Sequence, residues 1–593
     1  VAPDPGYGLS VAAPVRIANC SGFYGDRLSA AREMVEGGPI DVLTGDWLAE
    51  LTMLILAKDR LKDPGAGYAR TFLTQVEQVL ATCLERGIRI VSNAGGLNPS
   101  GCAQALREVS SRLGLRARIA YVEGDDLLPR LEQLRADGHE LPNLDTDEQL
   151  DGRAVLTANA YLGGWGIVEA LRRGADVVVT GRTTDAAVVL GPAAWHHDWA
   201  RDDWDALAGA VAAGHVIECG TQATGGNYSF FTEVPGLEHP GFPIAEIAAD
   251  GSSVITKHEG HGGQVSVGTV TAQLLYEITG ERYLNPDVTT RFDSITLEQV
   301  GPDRVALTGV KGEPPPRTSK VCLNLVGGTK AALTFPLVGL DIEAKAELLQ
   351  RSLFAALPGG REGFAEVDVQ LVRSEHEDPQ SNETAVAQLR VTLKDPDPGR
   401  LGRPLRAAVT ELALASYPGF YAGASNVQTY GVFWPALIPT ELLSHRVVMD
   451  GESTEVLPTL AEPAAADVEP AAPRPPVPGG ATVRIPLGRL VGARSGDKGG
   501  NANLGVWARS DEAFAWLEQH LTVQRLRELM PEVAGLQVQR HDLPRLRALN
   551  FVIVGLLGQG VSSSTRMDAQ AKSLGEYLRA KHVDVPRELV EPA

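Results

Sequence analysis

The sequence predicts an α/β protein: a parallel sheet with helices on both faces, joined to a mixed α+β half, then a small C-terminal α/β sandwich domain. Three observations predict it. Over residues 15–215, short apolar runs alternate with helical patterns, which is the signature of a parallel sheet covered on both faces. From residue 216 the pattern changes to Gly-rich polar stretches and alternating runs of the antiparallel kind. The stretch 461–480, AEPAAADVEPAAPRPPVPGG, holds six prolines and almost no large apolar side chain. It cannot bury enough surface to fold and reads as a semi-extended linker.

The expected division follows. Residues 1–14 are an N-terminal tail. Residues 15–450 form the main domain, made of a parallel half (15–215) and a mixed half (216–450). A Pro/Ala-rich linker spans 451–480, and a small α/β domain spans 481–590. In the parallel half the expected strands are 15–18, 41–43, 88–91, 118–122, 154–157 and 176–179, each too short for a buried helix. Between them, Phe72, Val76, Val79, Leu80 and Cys83 fall on one helical face of 68–86. In the mixed half, 294–300, 304–308, 320–325, 367–372 and 388–393 read as strands, and Pro314 to Pro316 as an extended loop. In the last domain, 481–486, 504–508 and 551–556 read as strands, and 511–520, 522–529 and 572–580 as helices.

Right-handed crossovers place the C-terminal ends of parallel strands on one rim, where ligands of such sheets sit. The segments at those ends are Asn19-Cys20-Ser21-Gly22, Thr44-Gly45-Asp46-Trp47, Ser92-Asn93-Ala94-Gly95-Gly96, Glu123-Gly124-Asp125-Asp126, Asn159-Ala160-Tyr161 and Thr180-Gly181-Arg182-Thr183-Thr184-Asp185. Any single βα loop is polar because Ser, Thr and Asp cap helices. Six such loops with recurring Asn, Asp and Arg read as a binding rim. Asn19, Ser21, Asn93, Gly95, Gly96, Asn159 and Arg182 are its expected substrate-binding residues.

Composition limits the function. The net charge is −20, from 54 Lys+Arg against 74 Asp+Glu. That argues against nucleic acid or an anionic membrane as partner, since phosphate contacts need clustered cations. No apolar run reaches the roughly 18 residues of a membrane-spanning helix. Residues 1–14 lack the basic and apolar regions of a signal peptide. Five cysteines without a CxxC pair fit neither a disulfide framework nor a structural zinc site, so a reducing cytoplasm is expected. A homo-oligomer is expected for an acidic protein of this size.

Two motifs stand out. Gly492-Ala493-Arg494-Ser495-Gly496-Asp497-Lys498-Gly499-Gly500-Asn501-Ala502-Asn503 mixes cations, Gly and amides, which suits a loop that folds around a carboxylate or phosphate. Arg494, Ser495, Asp497, Lys498 and Asn501 are its candidate binding residues. It is not a Walker A loop, because Lys498 precedes Gly499 rather than Ser or Thr. The second motif is Lys257-His258-Glu259-Gly260-His261. Its two imidazoles suit acid–base work or, with a further ligand, a metal. Glu218-Cys219, at the start of the Gly-rich stretch 217–227, is a further candidate. No nicotinamide, flavin, zincin or α/β-hydrolase signature is present, and the cofactor is unknown.

The chain resembles the acyclic terpene utilisation (AtuA) family. The resemblance rests on IANCSGFYGDR (17–27), LTGDWLAELTM (43–53), IVSNAGGLNP (90–99), VVTGRTTDAAVVL (178–190), VIECGTQATGGN (216–227), GEPPPRTSKVC (312–322), ARSGDKGGNANLGVWAR (493–509) and ALNFVIVG (548–555), in family order. It departs at Glu259, where the family turn is expected to hold Pro, so no role is carried to that residue. The resemblance implies catabolism of acyclic terpenes whose acids are processed as CoA thioesters. The expected function is therefore an enzyme acting on a branched-chain acyl-CoA by hydration, carbon–carbon cleavage or thioester chemistry. Asp46, Asp185, Glu218, His258 and His261 are the candidate acid–base residues. Two alternatives stand beside it: a non-catalytic acyl-CoA-binding subunit or scaffold, and a metal-dependent hydrolase using His258 and His261.

Overall fold

The computed structural model describes residues 13–590, so all but the last two residues of the predicted tail lie outside the described residues. The chain divides into two compact units. The first comprises the chain up to Asn324, Trp434–Gly558 and the chain from Gln570; the second comprises Leu325–Phe433 and Gln559–Ala569. The fold is the expected mixture of helix and sheet with a small C-terminal sheet domain. Residues 481–558 and 570–590 of the C-terminal domain fall in the same unit as the parallel half.

The first unit is built on an eleven-stranded sheet. Its strands include β1 (Val15–Asn19), β2 (Val42–Gly45), β3 (Arg89–Ser92) and β4 (Ile119–Glu123). β6 (Val177–Thr180) also belongs to it, while β5 (Val155–Ala160) does not. In the order β1-β2-β3-β6-β4 the five central strands are parallel. Both flanks are antiparallel. β7 (Pro243–Ile247) pairs with β1, and β8 (Ser253–Lys257) pairs with β7. His445–Met449 pairs with β4 on the other side.

Of the six strands expected in one parallel sheet, β5 is the exception. It pairs with Thr318–Val338 in a separate sheet. β5 carries the buried polar residues Thr157 and Asn159. Their buried polar groups find partners elsewhere: Thr157 Oγ1 accepts from Asn324 Nδ2 at 3.0 Å, and Asn159 Nδ2 donates to Asp125 Oδ2 at 2.8 Å.

Helices Ala187–His197 and Trp204–Ile217 pack against the sheet. The second is buried from Ala206 to Ile217. Its Ala and Gly residues let neighbouring backbones approach, and its one titratable core residue is His215.

The C-terminal domain holds a four-stranded antiparallel sheet, Val491–Lys498, Asn501–Ala508, Ala548–Ile553 and Val538–Leu543 in spatial order. Helices Asp511–His520, Val523–Leu529 and Leu574–Arg579 complete it. Here the sequence reading is corrected. The Gly-rich motif is no loop but a hairpin, in which Lys498 faces Asn501 across a two-residue Gly499-Gly500 turn. Gly499 has φ +63°, as tight hairpin turns require. Charged residues and glycines hid the strand because they meet groups of the main domain rather than an apolar layer. A Cβ on Gly496 would lie 2.4 Å from the Tyr276 ring, and one on Gly505 would lie 2.5 Å from Leu275 Cβ. Trp507, Leu543, Leu546 and Ala548 share a core with the main sheet. The segment 461–480 forms neither helix nor strand. Arg474 stacks over Phe514 and pairs with Glu518 at 2.8 Å.

The second unit is a smaller layered structure. Glu366–Val372, Val386–Asp395, Thr318–Val338 and Ser425–Pro439 form its sheet. Helices Ile342–Ala356 and Arg403–Glu411 bury Leu349, Leu353, Leu405 and Ala408 against Leu333, Phe335, Leu389 and Val391. Lys330 Nζ donates to the carbonyls of Ser562 and Ser564, each at 2.9 Å, which ties in the second chain segment.

Gly505→Ala should destabilise the protein by about 1–3 kcal/mol, the usual result of overpacking, because the new methyl meets Leu275 rather than open space. Chemical denaturation checks this. An unchanged midpoint would mean that the hairpin does not press on Leu275 as described.

Candidate functional site

Every residue of the site lies in the first unit. Three layers of sequence supply it: the strand-end rim, the region from His215 to Tyr283, and the C-terminal hairpin.

The rim is framed by its amides. Ser21 N–H donates to Asn19 Oδ1 at 3.0 Å, and Asn19 Nδ2 reaches the carbonyls of Ser21 and Glu218. Asp46 N–H donates to the Ser21 carbonyl at 2.9 Å. Asn93 receives the Trp47 N–H on Oδ1 at 2.9 Å and donates through Nδ2 to Asp46 Oδ1. Gly95 lies where a Cβ would meet the Thr180 carbonyl at 2.5 Å. Gly96, with φ +54°, turns the chain against Leu56.

Arg182 is at the centre and is only 3% exposed. Its backbone N–H donates to Asp125 Oδ2 at 2.8 Å. Its Nη1 donates to Asp185 Oδ1 at 2.9 Å and to the Leu48 carbonyl at 3.3 Å. Its guanidinium stacks over Tyr161, 4.3 Å from the ring centroid. Burial works against the charge, but Tyr161, Asp185 and Asp46 outweigh it and hold the group firmly protonated.

Around this cation lie carboxyls in unlike states. Burial, then the neighbouring Asp185 charge, pushes Asp46 well above the usual carboxylate range. Glu218 is raised likewise, by burial first and then by Asp185 and Glu277. Its Oε1 lies 3.2 Å from His215 Nδ1, while its Oε2 is buried without a hydrogen-bond partner among the described residues. Burial and the Lys498 charge hold His215 down to about 4, so it is neutral. It packs against the Tyr283 and Phe292 rings. Burial pushes Asp125 up to about 7. Glu50 goes the other way: Lys320, Lys498 and Arg182 overcome its burial and lower it, with Lys320 Nζ at 3.2 Å.

The C-terminal domain completes the cluster. Glu277 stands in a left-handed backbone conformation, φ +58°, with its N–H donated to Asn503 Oδ1 at 2.8 Å. Asn503 in turn donates to Asn550, whose Nδ2 reaches the Ile278 carbonyl at 3.2 Å. Burial pushes Glu277 up to about 7. Burial, with Glu277 and Glu50 nearby, pushes Asp497 up to about 8. Lys572 Nζ lies 3.4 Å from Asp497 Oδ1 and 3.6 Å from Glu277 Oε1, and it bonds the Tyr276 hydroxyl. Lys498 Nζ is 5.9 Å from the Tyr283 centroid, and the Arg494 guanidinium carbon is 4.4 Å from the Tyr276 centroid. Ser495 Oγ accepts from Gly575 N–H at 2.9 Å. Asn501 donates to Asp145 and accepts from Gly555 N–H, which fixes the hairpin tip.

The structure thus brings Asp46, Asp185, Glu218, Arg182, Asp497 and Lys498 into one cluster. It does not bring in His258 and His261. Their rings lie 5.5 Å apart, and His258 Nε2 sits 2.8 Å from the Met34 carbonyl. Glu33, Arg27, Lys257 and His239 are the titratable groups around His261. Among the described residues no group of three His, Cys, Asp or Glu is placed to hold a metal. Sequence reading missed His215, Glu277, Glu50, Lys320 and Lys572. The first two had a signal: a single His in an otherwise apolar helix, and a single Glu inside Leu274-Leu275-Tyr276-Glu277-Ile278. For Lys572 no signal existed.

Cluster and hairpin both fall in matched sequence. Residues 15–449 match the model of the acyclic terpene utilisation family protein AtuA, and residues 485–584 match that of the AtuA ferredoxin-like domain. No curated protein and no solved structure matches the chain. Among the described residues no helix is long and apolar enough to cross a membrane.

The raised carboxyls set a pH dependence of stability. The folded protein keeps protons on Glu277 and Asp497 up to about 7 and about 8, whereas an unfolded chain releases them near pH 4. Stability is therefore lost as pH rises from about 4 to about 8. Asp497→Asn removes one such group. Its urea midpoint, compared with wild type, should improve between pH 5.5 and pH 9 by the equivalent of about 1–3 kcal/mol. An unchanged difference between the two pH values would overturn this placement of Asp497.

Proposed function

Because the chain belongs to the acyclic terpene utilisation family and so has a role in acyclic terpene utilisation, we propose that it is an enzyme acting on a branched-chain acyl-CoA, transferring protons at carbons next to the thioester carbonyl. Hydration or its reverse, and carbon–carbon cleavage, are reactions of this kind. One observation carries the reading: Asp46 and Glu218 are kept proton-bearing by burial, beside Asp185, which is ion-paired to Arg182. Carboxyls whose surroundings push them apart mark an acid and a base in one site.

The roles follow from position. Glu218 is the acid, since its Oε2 has no hydrogen-bond partner among the described residues and neutral His215 flanks its Oε1. Asp185, ion-paired to Arg182 at 2.9 Å, is the base. Lys498 faces the same group of carboxyls and is placed to stabilise negative charge that develops on a thioester oxygen. Asp46, held by Asn93 and the Leu48 N–H, supplies or stores a second proton. The surrounding burial keeps water from competing and strengthens each of these charges.

The test is a panel of branched-chain acyl-CoA thioesters incubated in D2O, followed by mass spectrometry for deuterium at the α-carbon and for gain or loss of water. Wild type should exchange or convert at least one of them. Glu218→Gln and Asp185→Asn should each slow this by about 10²–10⁴-fold, the usual worth of a positioned acid or base; Glu218→Gln should nearly keep the thermal midpoint, whereas Asp185→Asn should also lower it, because it unpairs the buried Arg182. Wild-type protein that exchanges no α-proton and converts no thioester would sink the reading.

A further inference from the structure

Arg494 is 7% exposed. Among the described residues its guanidinium makes neither a hydrogen bond nor an ion pair; its contact is the Tyr276 ring, at 4.4 Å. A guanidinium carries five N–H donors in a planar fork. A ring face offsets part of the loss of water but accepts none of those hydrogen bonds. Lys498, on the same face of the same strand four residues on, likewise has no carboxylate within ion-pair distance among the described residues and lies over Tyr283. The carboxyl that most favours the Arg494 charge after Cys219 is Glu277. That group is itself hydrogen-bonded through its backbone to Asn503 and shared with Lys572. A buried cation without a counter-ion is unfavourable unless an anion arrives to pair with it.

We infer that the acyl group bound here carries a free carboxylate of its own, which pairs with Arg494 while its thioester end lies toward Lys498. This rests on the acyl-CoA reading above and narrows it to thioesters of dicarboxylic acids. Two features favour a carboxylate on the acyl chain over a phosphate of CoA. Arg494 is buried on the hairpin's own strand and against Tyr276, rather than on the open surface where the nucleotide of a CoA remains. The spacing also fits a short chain, since four strand residues span about 13 Å of backbone.

The experiment is isothermal titration of the full-length protein with α,ω-dicarboxylates from succinate to pimelate, and separately with butyrate, inorganic phosphate and free CoA. Wild type should bind at least one dicarboxylate, more tightly than butyrate. Arg494→Gln should weaken that binding about tenfold or more, with free CoA unaffected. Arg494→Lys keeps the charge but loses the fork, so it should fall between the two; it also serves if the Gln variant does not fold. Equal dicarboxylate affinity in wild type and both variants overturns the inference. So does no dicarboxylate binding, or an Arg494 dependence that appears for phosphate or CoA instead. Binding of the diacid needs no turnover, so an inactive thioester panel with Arg494-dependent diacid binding would sink the enzyme reading and leave this one standing.

Discussion

Taking the Arg182 guanidinium out of water is the constraint on which the rest of the site depends. A buried cation must be paired and hydrogen-bonded, and each of its partners fixes a different piece of chain. Asp185 comes from its own loop, the Leu48 carbonyl from the segment after β2, and Tyr161 from the end of β5. Its backbone N–H goes to Asp125 after β4. One residue therefore sets the relative positions of four strand ends, three through its side chain and one through its backbone N–H. The raised carboxyls follow from the same burial: where water is excluded, one cation cannot ionise every acid around it, and Asp46 and Glu218 keep their protons.

The hairpin of the C-terminal domain solves a second problem, which is how to bring more charge into that place. A strand has side chains on both faces, so Val491–Lys498 can pack on its own domain and still present Arg494 and Lys498 to the tyrosines. Gly496 and Gly505 let it come close enough, since any side chain there would meet Tyr276 or Leu275. The left-handed Glu277 is held by Asn503 at the same contact.

The parallel half was legible because its strands are short apolar runs with Gly or polar ends, and burial on both faces needs nothing else. The strands β1 to β4 and β6 lie within a residue or two of where the pattern puts them. β5 reads as a strand correctly, but its sheet depends on where Thr157 and Asn159 find partners, and pattern carries no such information. The Gly492–Asn503 stretch was noticed for its chemistry and misjudged in its conformation, because a strand that faces a polar site has no apolar alternation. The rim residues Asp46, Arg182 and Asp185 were accessible through topology. Glu277 and Lys572 were not, since they approach the rim from segments about 100 and 400 residues further along the chain than β6.

The chain's division into units has a consequence for biosynthesis. The first unit needs Trp434–Gly558, and the second needs Gln559–Ala569, so each is interrupted by a piece of the other. A ribosome makes the chain from the N-terminus at about 5–20 residues per second, so the strands β1 to β6 emerge tens of seconds before the hairpin that covers Tyr276 and Leu275. During that interval a half-built sheet exposes the apolar surface destined for Trp507, Leu543 and Ala548. Truncation before Trp507 leaves the molecule in that state. A gene cut at the proline-rich segment therefore yields two partial surfaces rather than two working halves.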